Sequence, residues 1–228
     1  MGGGARRGGR YIWPVSSDPP KSADGPVPIV VLVSGSGSIL AALIEACAQP
    51  DYGVTIVAVG ADRHGIRGLD RASEAGIATF VVATDDFPTR SQWDEALADT
   101  LGQHLPDRAT QPWVVSVGFM KIVGPTVLGR FRVLNSHPAL LPAFPGAHAV
   151  DDALTHGVKV TGSTIHLVDA GVDTGPIVAQ RAVPVRADDD AHTLHERIKV
   201  VERDLMVRTV QQITTGRYSL TDRKVTLA

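Results

Sequence analysis

The sequence predicts an α/β domain with a mostly parallel central sheet flanked by helices and a mixed C-terminal part. Three observations predict it. An order of apolar run, turn and amphipathic segment starts after Pro28 and recurs through residue 135. The first run, Ile29 to Val33, is apolar at every position, as in strands covered on both faces. Beyond residue 160 the rhythm changes, and two strand-like runs follow one another with no long helix between them. Together these describe a single Rossmann-like domain with a modified C-terminal part.

Taken in order, Ser34-Gly35-Ser36-Gly37-Ser38 is a turn, and Ile39 to Ala48 reads as the first helix. Thr55 to Gly60 is the second strand, Ile66 to Ala75 the second helix, and Ala78 to Ala83 the third strand. Ser91 to His104 is a helix because Trp93, Leu97 and Leu101 recur at four-residue spacing and so share a face. Trp113 to Val117 is the fourth strand, and a fifth ends at Asn135. Thr161 to Val168 and Ile177 to Val185 are the late strands. Ala191 to Ile213 is a long helix with Leu194, Ile198, Val201, Leu205 and Ile213 on one side. Ser219 to Leu227 adds a final edge strand.

Composition narrows the function classes. The 228 residues suffice for one domain with a sizeable core, and at 43% hydrophobic and 20% charged the chain is globular. A net charge of −2 without a basic stripe argues against nucleic acid as the main partner. The single cysteine, Cys47, excludes an internal disulfide framework, fits a reducing cytoplasm and sits in a helical apolar setting. No apolar stretch is long enough to span a membrane. Residues 1–27, rich in Gly and Arg and then in Pro, Ser and Asp, read as a flexible N-terminal tail without the apolar core of a signal peptide. Residues 28–228 read as the folded domain.

The chemistry is concentrated in Val133 to Pro145, VLNSHPALLPAFP. Asn135 and His137 lie two apart on an extended segment and so project to one face at a strand end. A neutral amide donor beside an imidazole base is an arrangement suited to acyl transfer. Further on stands Asp173 in VDAGVDTGPI. Singly, each residue has an ordinary structural reading: a hydrogen-bonded histidine, a turn aspartate, a capping asparagine. The loop at 34–38 joins a buried strand to a helix, where backbone amides and the helix dipole favour a phosphate. It is not a Walker loop, because no Gly-Lys-Ser/Thr follows, and Leu40 stands where a dinucleotide fingerprint needs its third glycine. Asp62, after the second strand, can mimic a ribose-binding acid, so a nicotinamide ligand stays open. His192 and His195 beside Asp188, Asp189 and Asp190 have metal-like spacing, but a helix cap and solvated face account for them. His148 and His166 follow motif segments and are candidates to line a pocket.

Asn135-Ser136-His137-Pro138-Ala139-Leu140-Leu141-Pro142 resembles the N-x-H-P-S-L-L-P signature of folate-dependent formyltransferases, and Val168 to Ile177 resembles their second block, V-x-x-x-x-D-x-G-P-I. The resemblance is strongest to the branch acting on glycinamide ribonucleotide and spans about residues 28 to 215. It implies the formyltransferase fold and a catalytic trio of Asn135, His137 and Asp173, with Asp173 paired to His137 and raising its pKa. It implies that Gly37, Ser38 and Ile39 hold the substrate's phosphate, Ile39 replacing the usual Asn. Lys199 and Glu202, one helical turn apart, would contact the glycinamide nucleotide. Arg90, Met120, Lys121, Ile122 and Val123, with Asn135, would bind the folate; Lys121 stands where the family has Arg.

The implied reaction moves the formyl group of N-10-formyltetrahydrofolate, a cosubstrate, onto the amine of 5-phosphoribosylglycinamide in purine biosynthesis, without metal or covalent enzyme intermediate. The implied partners are those two small molecules, with no nucleic acid and no membrane, and a monomer or homodimer in the cytoplasm. Two rivals belong to the same superfamily. A formyl-folate deformylase usually carries a second His after the catalytic one, where this chain has Pro138. A methionyl-tRNA formyltransferase would carry a further C-terminal domain. A nonenzymatic nucleotide-binding module would need only the glycine loop.

Overall fold

The computed structural model describes residues 25–105 and 111–227. Seven strands form one sheet: β1 (Val27–Val33), β2 (Val54–Ala61), β3 (Ala78–Val81), β4 (Trp113–Ser116), β5 (Arg132–His137), β6 (Val160–Leu167) and β7 (Ile177–Pro184), in the order β3-β2-β1-β4-β5-β6-β7. The first five are parallel; β6 runs antiparallel to β5, and β7 antiparallel to β6. The helices are α1 (Ser38–Cys47), α2 (Arg67–Glu74), α3 (Arg90–His104), α4 (Pro125–Arg130), α5 (Ala149–Thr155) and α6 (Ala191–Thr214). This is the expected Rossmann-like sheet, mixed at its C-terminal side. The order reverses between β1 and β4, the crevice where open α/β sheets bind ligands.

Burial on both faces explains the unbroken apolar run of β1. Ile29, Val31 and Val33 pack with Leu40 and Leu43 of α1 and Met206, Val210 and Ile213 of α6. Val30 and Leu32 point the other way, to Trp93, Leu97 and Leu101 of α3 and Leu128 of α4. Each large apolar side chain buried in these layers is worth roughly 1.5–3 kcal/mol. Along α6 the expected stripe holds at Leu194, Ile198, Leu205 and Ile213, while Val201 is only partly covered. A capping box at Asp190 and Thr193 starts that helix.

The structure departs from the sequence reading in four places. Ser219 to Leu227 is no single edge strand of the main sheet. It belongs to a hairpin, β8 (Tyr218–Thr221) with β9 (Lys224–Leu227), turning through Asp222 at φ 56°. Helices α4 and α5 were not foreseen, since six and seven residues are too few to display a period. Strand β5 runs through His137 instead of stopping at Asn135, because β6 pairs with it as far as His137 opposite Thr164. Strand β1 starts at Val27, two residues before the expected apolar run at Ile29. Most of the expected tail, residues 1–24, lies outside the described residues. Among the described residues no helix is long and apolar enough to cross a membrane.

Candidate active site

Strand β5 places Asn135 and His137 on one face, and β6 completes the site from the next position in the sheet. Asn135 lies opposite His166 in the antiparallel register, and opposite Ser116 of β4 in the parallel one. The Ser116 hydroxyl donates to Asn135 Oδ1 at 2.8 Å, which fixes the amide with Nδ2 toward His166 Nε2, 3.1 Å away. His166 Nδ1 lies 3.0 Å from the Leu167 carbonyl, so in the neutral ring Nδ1–H donates there and Nε2 accepts from Asn135. His166, in sequence only a candidate to line a pocket, stands in direct contact with Asn135 and Asp173. Its signal was alternation with Thr164 on β6, legible only once β6 is known to pair with β5.

Asp173 reaches the pair from the β6–β7 loop, in left-handed backbone at φ 54°. Its Oδ2 lies 3.3 Å from His137 Nδ1 and accepts from the Gly146 N–H at 2.8 Å; its Oδ1 lies 3.5 Å from His166 Nε2. The loop is shaped by Asp169, which accepts from the Gly171 N–H and the Thr174 hydroxyl. Gly175 closes it against β6, where a Cβ would stand 1.6 Å from the Leu167 carbonyl oxygen. The chain leaving His137 is held through Thr164, whose hydroxyl donates to the Ala139 carbonyl and accepts from the Leu141 N–H.

Burial works against ionisation here, and for Asp173 it loses. Contacts with His166, the Gly146 N–H and His137 outweigh desolvation and hold its carboxyl at about 2. For His137 burial wins. Asp173 and the Phe144 carbonyl, 2.7 Å from Nε2, both favour the protonated ring, yet desolvation leaves the pKa below its ordinary value. That corrects the expectation of a raised histidine pKa: Asp173 does pull it upward, but the buried setting, 4% exposed, pulls harder. The imidazole is therefore largely neutral near pH 7 and free to take a proton.

The glycine loop lies beyond the C-terminal end of β1. Gly37 is the N-cap of α1 at φ 68°, and no side chain caps the helix, so its first-turn amides are left facing outward. Ser38 and Ile39 begin the helix. The Ile39 side chain is in the core, leaving only its N–H for a ligand. Lys199 Nζ is 2.7 Å from Glu196, and Glu202 is buried, with desolvation raising its pKa against the pull of Ser136 and Lys199.

Across the switch point, the 118–124 segment meets this loop through Ser34, whose N–H donates to the Gly118 carbonyl and whose hydroxyl accepts from the Met120 N–H. The side chains of Met120 and Ile122 are exposed, Val123 is in the core, and Lys121 lies 3.8 Å from Asp62. The Arg90 guanidinium donates to the Ile122 carbonyl. Asp62, the candidate ribose-binding acid, has a buried side chain paired with Arg63 at 2.8 Å. His148 is the exposed residue before α5, and His192 and His195 lie at the start of α6. Among the described residues no group of His, Cys, Asp or Glu is arranged to hold a metal ion.

The formyl transferase family profile matches residues 27–210. The phosphoribosylglycinamide formyltransferase of Mycobacterium tuberculosis is 52% identical over 210 residues, covering 89% of this chain and 94% of that protein. The enzyme of that name from Escherichia coli K12 is 35% identical over 194 residues, covering 84% and 89%. The crystal structure of glycinamide ribonucleotide transformylase 1 from Symbiobacterium toebii superposes with a TM-score of 0.84 at 38% identity, covering 89% of this chain and 94% of that one. With its sheet and its match both spanning the domain, this chain belongs to the formyl transferase family.

Proposed function

We propose that this protein is a phosphoribosylglycinamide formyltransferase of purine biosynthesis, acting in the cytoplasm. It moves the formyl group of N-10-formyltetrahydrofolate to the amine of 5-phosphoribosylglycinamide. The observation that carries the reading is the meeting of Asn135, His137 and Asp173 at the C-terminal end of β5, the end of the parallel strands from which the uncapped helix α1 and the loop presenting Met120 and Ile122 also leave. The phosphate rests on the amides of Gly37 to Ile39 with the Ser38 hydroxyl, while Lys199 and Glu202 address the rest of the nucleotide. The folate lies along residues 120–123 beside Arg90.

The amine attacks the formyl carbon, forming the new C–N bond and a tetrahedral oxyanion. Asn135 Nδ2 donates to that oxygen; one such donor is worth about 3–4 kcal/mol. The amide nitrogen carries two hydrogens, so one can serve the oxyanion while the other stays on His166. His137 takes the amine proton and returns one to the departing N-10 as its C–N bond breaks, so no net proton is gained or lost. Asp173 stabilises the transient imidazolium and fixes its orientation. Product formation is measured with purified protein, both substrates, and each alone. Formyl-folate consumption that requires the glycinamide nucleotide is the expected result; equal consumption without it establishes a hydrolase instead.

A further inference from the structure

The 118–124 segment has no helical or strand structure, yet it presents two large apolar side chains to solvent, Met120 at 62% and Ile122 at 57% exposed. Neither anchors the segment; Ser34 holds its start, and three of the first five residues of α3 hold it from behind. Trp93, fixed by donation from Nε1 to the Val82 carbonyl at 2.9 Å, stacks on Phe119 with centroids 6.3 Å apart and planes at 15°. Arg90 lies 4.2 Å above the Trp93 ring and binds the Ile122 carbonyl. Asp94, only 3% exposed, accepts from the backbone N–H of Gly124 at 2.6 Å, of Thr126 at 2.8 Å and of Val127 at 3.4 Å.

Gly124 is matched to this carboxyl group. Its backbone is ordinary extended chain, at φ −99°, so conformation does not demand glycine. Space does: a Cβ there would stand 2.6 Å from Asp94 Cγ and Oδ2. The exit of the segment is thus clamped where a side chain would break the clamp.

We propose that Asp94 is a positioning residue for the formyl donor. Through Gly124 it holds the 118–124 segment in the shape that receives the folate, without touching the folate itself. The proposal rests on the reading of this segment as the folate-binding loop. Asp94→Asn keeps the shape but turns an amide N–H₂ toward backbone N–H groups, and Gly124→Ala pushes a methyl group into the carboxyl. Preorganisation lost in the loop weakens the ligand that lies on it and leaves the other ligand alone.

The test is steady-state kinetics on the full chain, varying each substrate in turn, with thermal unfolding measured on the same samples. Both variants are expected to raise KM for formyl-folate roughly tenfold while KM for the glycinamide nucleotide stays within about twofold. Should Asp94→Asn fail to fold, Gly124→Ala carries the test. A lowered melting temperature with both KM values unchanged would make Asp94 a purely structural cap and overturn the proposal. Met120→Ala/Ile122→Ala separates the two layers of the argument. If that double variant leaves the formyl-folate KM unchanged, the loop does not bind folate and both readings fall. If it raises that KM while the Asp94 and Gly124 variants do not, only the positioning role is lost.

Discussion

Asn135, His137, His166 and Asp173 share too few protons for all their contacts. His166 Nε2 faces the Asn135 amide at 3.1 Å and Asp173 at 3.5 Å, and it serves the first as a neutral acceptor or the second as a protonated donor. His137 sits between two acceptors, which a neutral ring can satisfy only one at a time. The sign of its pKa shift is testable. In an NMR titration His137 is expected to titrate below the ordinary 6.5. Asp173→Asn removes the upward pull and moves it lower still, while kcat falls more than binding does. An unchanged titration in Asp173→Asn would remove the carboxylate from the histidine's environment. Asp173 also links this site to acid stability. Its unfolded carboxyl binds a proton near 3.8 and its folded one only near 2. Between those values the unfolded chain holds more protons, so stability falls as pH drops through the window. The contribution, present in full above about pH 4, is roughly 2 kcal/mol. Denaturant unfolding of wild type against Asp173→Asn below pH 4 should show the difference closing.

At the scale of elements, the turn from β1 into α1 separates two roles that the sequence placed side by side. Gly37 needs a positive φ, and a Cβ there would stand 2.8 Å from the Gly68 Cα of α2, so Gly37→Val displaces the loop from the helix behind it. Loss of nucleotide affinity well beyond about tenfold is expected, measured by calorimetric titration. Ile39 points the other way. As a buried residue, 7% exposed, it contributes packing to the core between α1 and the sheet. Ile39→Asn would place an amide among apolar side chains unless the helix rotates it outward, and burying it unpaired costs about 1–3 kcal/mol. The expected outcome is a lower melting temperature and less than about a tenfold gain in nucleotide affinity. A hundredfold gain with intact stability would mean that the side chain at this position reaches the phosphate after all.

For the molecule as a whole, the C-terminal hairpin packs against the start of β5. Arg132, the first residue of β5 and 7% exposed, donates from Nη1 to the Tyr218 hydroxyl at 2.8 Å and lies over the Trp113 ring, which meets Tyr218 edge-on. Removing one hydroxyl leaves a buried guanidinium short of a partner, at a cost of about 1–3 kcal/mol. Tyr218→Phe should therefore lower the unfolding free energy by that amount with both KM values unchanged. A change in KM without loss of stability would show the hairpin acting on the site rather than on the fold.

What the sequence determined by itself was set by local periodicity and local motif. Ile29 to Val33 announced a strand covered on both faces, the spacing of Trp93, Leu97 and Leu101 announced α3, and Asn135 and His137 shared a face because strand geometry alone decides that. What the tertiary structure decided was every property that depends on a neighbour distant in the chain. The antiparallel register of β5 and β6 brought His166 to Asn135, and it extended β5 to His137. The depth of the site turned the expected rise in the His137 pKa into a fall, because desolvation is a property of all the surrounding atoms and not of Asp173 alone. Asp94 reads in sequence as one acid on an amphipathic helix; only the fold places Gly124 against it. Periodicity fixes which way a side chain points, but pairing and burial fix what it meets there.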